Sequence, residues 1–322
     1  MSAVDVGVGF GRAIEGRKPT LPPIGGKSVP ILYPGSDVCV DVCRMGLTAI
    51  LFPGQGSHSP GMRDAVARVR PDLLALVCEV VGEDPFPRAE EGTKFAQPAI
   101  FCASLAGWAA LGRPTGNFMA GHSLGELGAL VAAGCIGERD GLELVTLRGR
   151  LMHEAGERAG GGGMLALLGA GAAEHASELA DAHGLAVAND NSPQQIVLSG
   201  ARGALPAAAR AAQELALRAV ELPVTGAFHS PMMESAVPEF FSALERMEFA
   251  EPHVTVLSAV TAQPFEDVRL QLAEALTMPV RWREVMLELR RLGAERFVEV
   301  GPGRVLTGLA KRTLRDVELV NA

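Results

Sequence analysis

Phe118-Met119-Ala120-Gly121-His122-Ser123-Leu124-Gly125-Glu126 reads as a short apolar strand running straight into a glycine-flanked turn and then a helix that continues to about Ala133. A strand that feeds a helix through so tight a turn belongs to a parallel sheet with helices on its faces. Working outward, Thr48–Phe52 reads as a second buried strand, closed by Pro53-Gly-Gln-Gly-Ser57. Helical patterns occupy about 61–82, 97–111 and 140–155. From 231 the rhythm resumes: helix 231–247, strand 254–260, helix 282–292, strand 297–300 and a last helix from about 304.

The segment between these halves has its own order. A four-glycine run, 160–163, reads as a hinge. Strand 164–168, helix 173–183, strands 185–188 and 196–199, helix 203–216 and strand 218–223 follow. The order β-α-β-β-α-β is the ferredoxin-like signature. The expected fold is therefore α/β: a hydrolase-like large domain with a parallel sheet over 47–160 and 223–322, interrupted by a ferredoxin-like α+β subdomain over 161–222. Residues 1–46 hold 8 Gly and 5 Pro and keep no period, so they read as an irregular arm. Two decoys lie there. Gly7, Gly9 and Gly11 are followed by Arg12 with no preceding strand, and Gly26-Lys27-Ser28 has Leu21 where a phosphate loop needs glycine.

Composition narrows the function. With Lys plus Arg at 29 against Asp plus Glu at 37, the net charge is −8, which argues against a general nucleic-acid binder. Five cysteines (39, 43, 78, 102 and 135) have no C-x-x-C spacing, so neither a disulfide framework nor a zinc ribbon fits, and free thiols in the cytoplasm are expected. The longest apolar stretch, Pro98–Leu111, contains Ser104 and reads as a core helix; no membrane span and no secretory signal is expected. His153-Glu154 is followed by Glu157 where a zinc-protease helix needs His, so no metal or other cofactor is expected.

Gly121-His-Ser-Leu-Gly125 is a G-x-S-x-G match in the strand–turn–helix setting that gives it meaning. Ser123 would project from the turn, and the following helix supplies N–H groups for a developing oxyanion. The bland alternative is a serine capping a helix. A serine hydroxyl needs a base. Of seven histidines, 175 and 183 fall in the inserted subdomain, 153 sits near a helix C-terminus, 122 points away from its neighbour Ser123, and 253 follows Pro252 in a loop. His58 follows Gly56-Ser57 in the loop that closes the first strand. His229 precedes a helix at Thr225-Gly-Ala-Phe-His-Ser-Pro231, read as the carboxyl edge of the α/β layer, and is the candidate base. In α/β-hydrolases the histidine comes close to the C-terminus; here 69 residues follow the last one, His253, which disfavours that family.

Taken together, Phe52-Pro-Gly-Gln-Gly-Ser57, Ala96-Gln-Pro-Ala99, Gly121–Glu126, Leu147-Arg-Gly149, Asn191-Ser-Pro-Gln-Gln195, Gly226–Pro231 and Glu299–Gly308 resemble the malonyl-CoA:acyl-carrier-protein transacylases of fatty-acid and polyketide synthesis, in that family's order over about 47–315. The resemblance implies ping-pong transfer of a malonyl group from malonyl-CoA through a Ser123 acyl-enzyme to the phosphopantetheine thiol of an acyl carrier protein. It implies His229 as base, oriented by a main-chain carbonyl near Ala275, and the backbone N–H groups of Gln55 and Leu124 as oxyanion hole. Arg148 would grip the free carboxylate, since a guanidinium holds a carboxylate with two parallel hydrogen bonds. Gln97 and Phe228 would line the pocket; similar enzymes with Phe there generally prefer malonyl over methylmalonyl. His58 stands where the family usually has glutamine. Malonyl-CoA and carrier protein are thus the expected partners of a cytoplasmic monomer, with no nucleic acid and no membrane. Basic residues such as Arg304 and Lys311 are candidates to meet the acidic carrier. Other readings are a transacylase for another extender unit, an editing hydrolase of carrier-bound acyl groups, and a non-catalytic docking module. Arg148 opposes the hydrolase, and the Ser123/His229/Arg148 set opposes the docking module.

Overall fold

A computed structural model describes residues 46–321. The arm expected over 1–46, with its two decoys, Cys39 and Cys43, lies almost wholly outside the described residues.

In chain order the elements are β1 (Leu47–Phe52), α1 (Met62–Val69), α2 (Pro71–Val81), α3 (Thr93–Ala110), β2 (Phe118–Gly121), α4 (Gly125–Ala132), α5 (Glu138–Arg158), β3 (Gly162–Leu168), α6 (Ala172–His183), β4 (Ala186–Ser192), β5 (Gln195–Ala201), α7 (Leu205–Glu214), β6 (Arg218–Glu221), α8 (Val237–Arg246), β7 (Thr255–Leu257), α9 (Val268–Glu274), α10 (Trp282–Arg291), β8 (Ala294–Glu299), α11 (Val305–Thr313) and β9 (Glu318–Asn321). Strands β7-β2-β1-β8-β9 form one sheet, every pair parallel. Its central strand alternates between two cores. Ile50 and Phe52 join Met119 on one face, while Ala49 and Leu51 join Ala120, Leu257 and Phe297 on the other. Burial on both faces is why these strands read as unbroken apolar runs.

The register of β1 on β2 pairs Phe52 with Gly121, so the two loops that leave these strands emerge side by side. The loops are Pro53–Ser57 and the Ser123 turn. Glycines permit the contact. A Cβ on Gly121 would lie 1.9 Å from the Gly125 carbonyl carbon, and one on Gly125 would lie 2.2 Å from the Phe52 oxygen.

The second sheet is antiparallel, in the order β4-β5-β3-β6. With α6 and α7 this is the ferredoxin-like arrangement. One face buries Leu165, Leu167, Ile196 and Leu198 under the two helices. Residues of opposite parity, Met164, Ala166 and Val197, join the large core. The insert therefore roofs the ends of β1 and β2.

Several elements differ from expectation. The helix expected over 61–82 is two helices, broken at Arg70 before Pro71, because a residue preceding proline disfavours helical backbone. The one expected from 97 begins at Thr93 and carries Pro98 inside. The strand expected to reach 260 stops at Leu257, since Ser258 N–H turns back to bond Gln263 O. The helix expected from 231 opens with six residues of 3₁₀ helix. Helix α9 and edge strand β9 have no counterpart in the sequence reading.

Candidate active site

A cavity of about 340 Å³ lies where the β1 loop, the Ser123 turn, α5 and the insert meet. Ser123 sits in it with φ 54°, a left-handed conformation costly for a residue with a Cβ. The turn is held by His122 N–H bonded to Phe52 O and by Gly125 N–H and Glu126 N–H returning to His122 O and Ser123 O.

His229 also has a left-handed backbone, φ 57°. It follows β6, a strand of the antiparallel sheet, so it does not stand at the carboxyl edge of a parallel strand as the sequence pattern suggested. It reaches the cavity because the chain returns from the insert across the cavity wall. Ser123 Oγ and His229 Nε2 are hydrogen-bonded at 2.9 Å. The main-chain carbonyls of Ala275 and Met278 favour the ring proton on Nδ1 electrostatically without closing a hydrogen bond of good geometry, and in that tautomer Ser123 Oγ–H donates to Nε2. Burial, then the charge of Arg148, then His122 push the His229 pKa down to about 3, so the imidazole is a neutral acceptor at physiological pH.

Arg148, from the middle of α5, is 3% exposed. One terminal nitrogen donates to Gln97 Oε1 at 2.8 Å and the other to Ser123 Oγ at 3.1 Å. Among the described residues it forms no ion pair in contact; the charge that opposes its burial comes from Glu126. Burial lowers the Arg148 pKa to about 10, which leaves it a cation at neutral pH. Gln97 is oriented by donating to Thr93 Oγ1 one helical turn back (2.8 Å), with Met152 Sδ at 3.4 Å. Phe228 is buried against the cavity beside the base. The N–H groups of Gln55 and Leu124 have no partner among the described residues, and both residues line the cavity. His58 lines it too, 3.9 Å from Glu90. All seven sequence-selected residues thus border one cavity.

Three features escaped the sequence. Glu126 is 2% exposed, and its Oε1 accepts from Ala259 N–H at 2.8 Å. Burial raises its pKa to about 7. Its place in a strongly apolar helix was the available signal. Asn191 accepts from His122 Nε2 at 2.8 Å, tying the insert to the Ser123 turn; only the distant pairing of β4 could reveal that. Trp282 meets the His122 ring edge-on at 5.4 Å between centroids.

Fold and cavity together are those of a hydrolase-like α/β protein with a buried guanidinium and an imidazole bonded to one serine hydroxyl. Comparison with known proteins narrows this. The chain belongs to the acyl transferase domain family, whose profile matches residues 50–322, and it is an acyltransferase. It is 39% identical over 288 residues to the polyketide biosynthesis protein ThaF of Burkholderia thailandensis, covering 84% of this chain but 24% of that much longer one. It is 36% identical to the malonyl CoA-acyl carrier protein transacylase of Synechocystis, covering 85% of this chain and 96% of that protein. A solved structure of a malonyl-transacylase in complex with its type II polyketide acyl-carrier protein, PlMCAT:AntF, superposes with a TM-score of 0.78 at 33% identity, covering 86% of this chain and 96% of that one. Among the described residues no helix is long and apolar enough to cross a membrane.

Proposed function

We propose that this acyltransferase moves a malonyl group from malonyl-CoA to the phosphopantetheine thiol of an acyl carrier protein, through an ester on Ser123. Ser123 Oγ attacks the thioester carbonyl while its proton passes to His229 Nε2. The C–S bond breaks and the proton leaves on the coenzyme A sulfur. In the second half-reaction His229 takes the proton of the carrier thiol, whose sulfur attacks the ester; the C–O bond breaks and the proton returns from His229 to Ser123 Oγ. The Gln55 and Leu124 N–H groups receive the oxyanion in both halves. Arg148, steadied by Gln97, pairs with the distal carboxylate, and Phe228 limits room at the α-carbon.

The observation that carries this reading is a buried guanidinium, without a contacting carboxylate among the described residues, bonded to the hydroxyl that the imidazole also holds. An unpaired buried charge is expensive, so such a site is built for an anion. Malonyl-transacylase relatives, one captured with a carrier protein, support the same substrate pair. Arg304, just before α11, and Lys311 on it are exposed, and Val305, Leu306 and Leu309 of that helix line the cavity, a suitable position to meet an acidic carrier. The reading is of a cytoplasmic monomer. Incubation with malonyl-CoA should add one malonyl mass to the protein at Ser123 and, on adding phosphopantetheinylated carrier, move it there; Ser123→Ala should abolish both. Release of free malonate at one rate with and without carrier would instead establish a hydrolase.

A further inference from the structure

The guanidinium reserved for substrate is bonded to the nucleophile. A serine hydroxyl has one hydrogen and two lone pairs. At Ser123 the hydrogen goes to His229 Nε2 (2.9 Å), and one lone pair accepts from Arg148 (3.1 Å). A hydrogen bond from a cation is about twice as strong as a neutral one, and it stabilises the electron pair that would attack a carbonyl. The same positive charge faces His229 and opposes its taking a proton. The other groups around this ring are neutral: Ser123, the carbonyls of Ala275 and Met278, and His122, itself held uncharged by burial. In this geometry Arg148 therefore hinders both partners of the first step.

A carboxylate reverses both effects. It is a stronger acceptor than a hydroxyl, matches the guanidinium fork, and cancels the charge. We propose that Arg148 is a latch on the nucleophile: it restrains Ser123 until the free carboxylate of an arriving acyl group draws the guanidinium off Oγ, so that a diacid thioester activates its own transfer. Selectivity for diacid over simple acyl groups is then expressed in the rate of Ser123 acylation at saturation and not only in binding. The inference rests on the malonyl-transfer reading above.

Splitting the substrate tests it. Acetyl-CoA and formate are together the two halves of a malonyl thioester. Acetylation of Ser123 by saturating acetyl-CoA is followed by rapid quench and intact mass, in sodium formate and in sodium chloride of equal ionic strength. Formate is expected to raise the wild-type rate at least fivefold. It should do nothing for Arg148→Ala, which should itself acetylate faster than wild type. A wild-type rate unchanged or lowered by formate overturns the latch, and that arm decides even where the variant does not fold. Malonyl-CoA run in parallel separates the two claims. If malonyl loads onto Ser123 without a formate effect on acetylation, the latch alone fails. If malonyl does not load, the transfer reading fails.

Discussion

Replacing Glu126 by Gln should stabilise the protein, and by an amount that grows with pH. The carboxyl lies buried under α4, where it accepts a bond from Ala259 N–H. An amide oxygen preserves that bond. Burial raises the folded pKa from 4.5 to about 7, and each tenfold change in proton affinity is about 1.4 kcal/mol. Because the folded value is the higher one, the native state retains a proton that the unfolded chain releases. The associated stability is complete below pH 4.5 and is lost as pH rises through 7. A glutamine does not titrate. The stability gap between Glu126→Gln and wild type should therefore widen by about 3 kcal/mol from pH 4.5 to pH 8.5. Urea unfolding of both proteins at those two pH values reads it directly, since every other titrating group contributes to both. A gap that stays flat, or that narrows as pH rises, would refute the reasoning.

Three further outcomes follow from the same geometry. His229 must be neutral to act, and its pKa is depressed, so kcat/KM for Ser123 malonylation should stay high as pH falls through 6.5 and fail only well below it; a midpoint near 6.5 would show the ring to be solvated. Gly54→Ala would set a Cβ 2.5 Å from the His122 carbonyl oxygen and displace the loop that presents Gln55 N–H. It should cost about 10²–10³-fold in kcat, the scale of losing one oxyanion donor, with carrier affinity unchanged in a binding assay. Phe228→Ala should lose about 3–5 kcal/mol of stability by thermal unfolding, yet improve methylmalonyl transfer relative to malonyl at least tenfold; an unchanged ratio would mean the ring does not border the α-carbon.

Much of this site is legible in the sequence because its parts are local. Gly121-His-Ser-Leu-Gly125 encodes its own turn, and Gln55 lies three residues past a buried strand. His229 could be selected because it precedes a helix after a strand, while five of the other histidines stand in less suitable places. Its route to the cavity could not, because β6 carries the same apolar pattern whichever sheet it joins. The split at Arg70–Pro71 was written in the proline, but Pro98 inside α3 shows that the same residue need not end a helix when its neighbours are packed.

Apart from α9, β9 and the break at Arg70, the order of strands and helices, the ferredoxin-like insert and the Ser123 turn were fixed by short-range pattern, since period, glycine and proline act over a few residues. What tertiary structure decided is charge and reach. Arg148 meets Ser123 across 25 positions, His229 across 106, and Glu126 meets Ala259 across 133. Whether a guanidinium is a solvated surface group or a buried anion receptor depends on which atoms surround it, and only the folded chain supplies those.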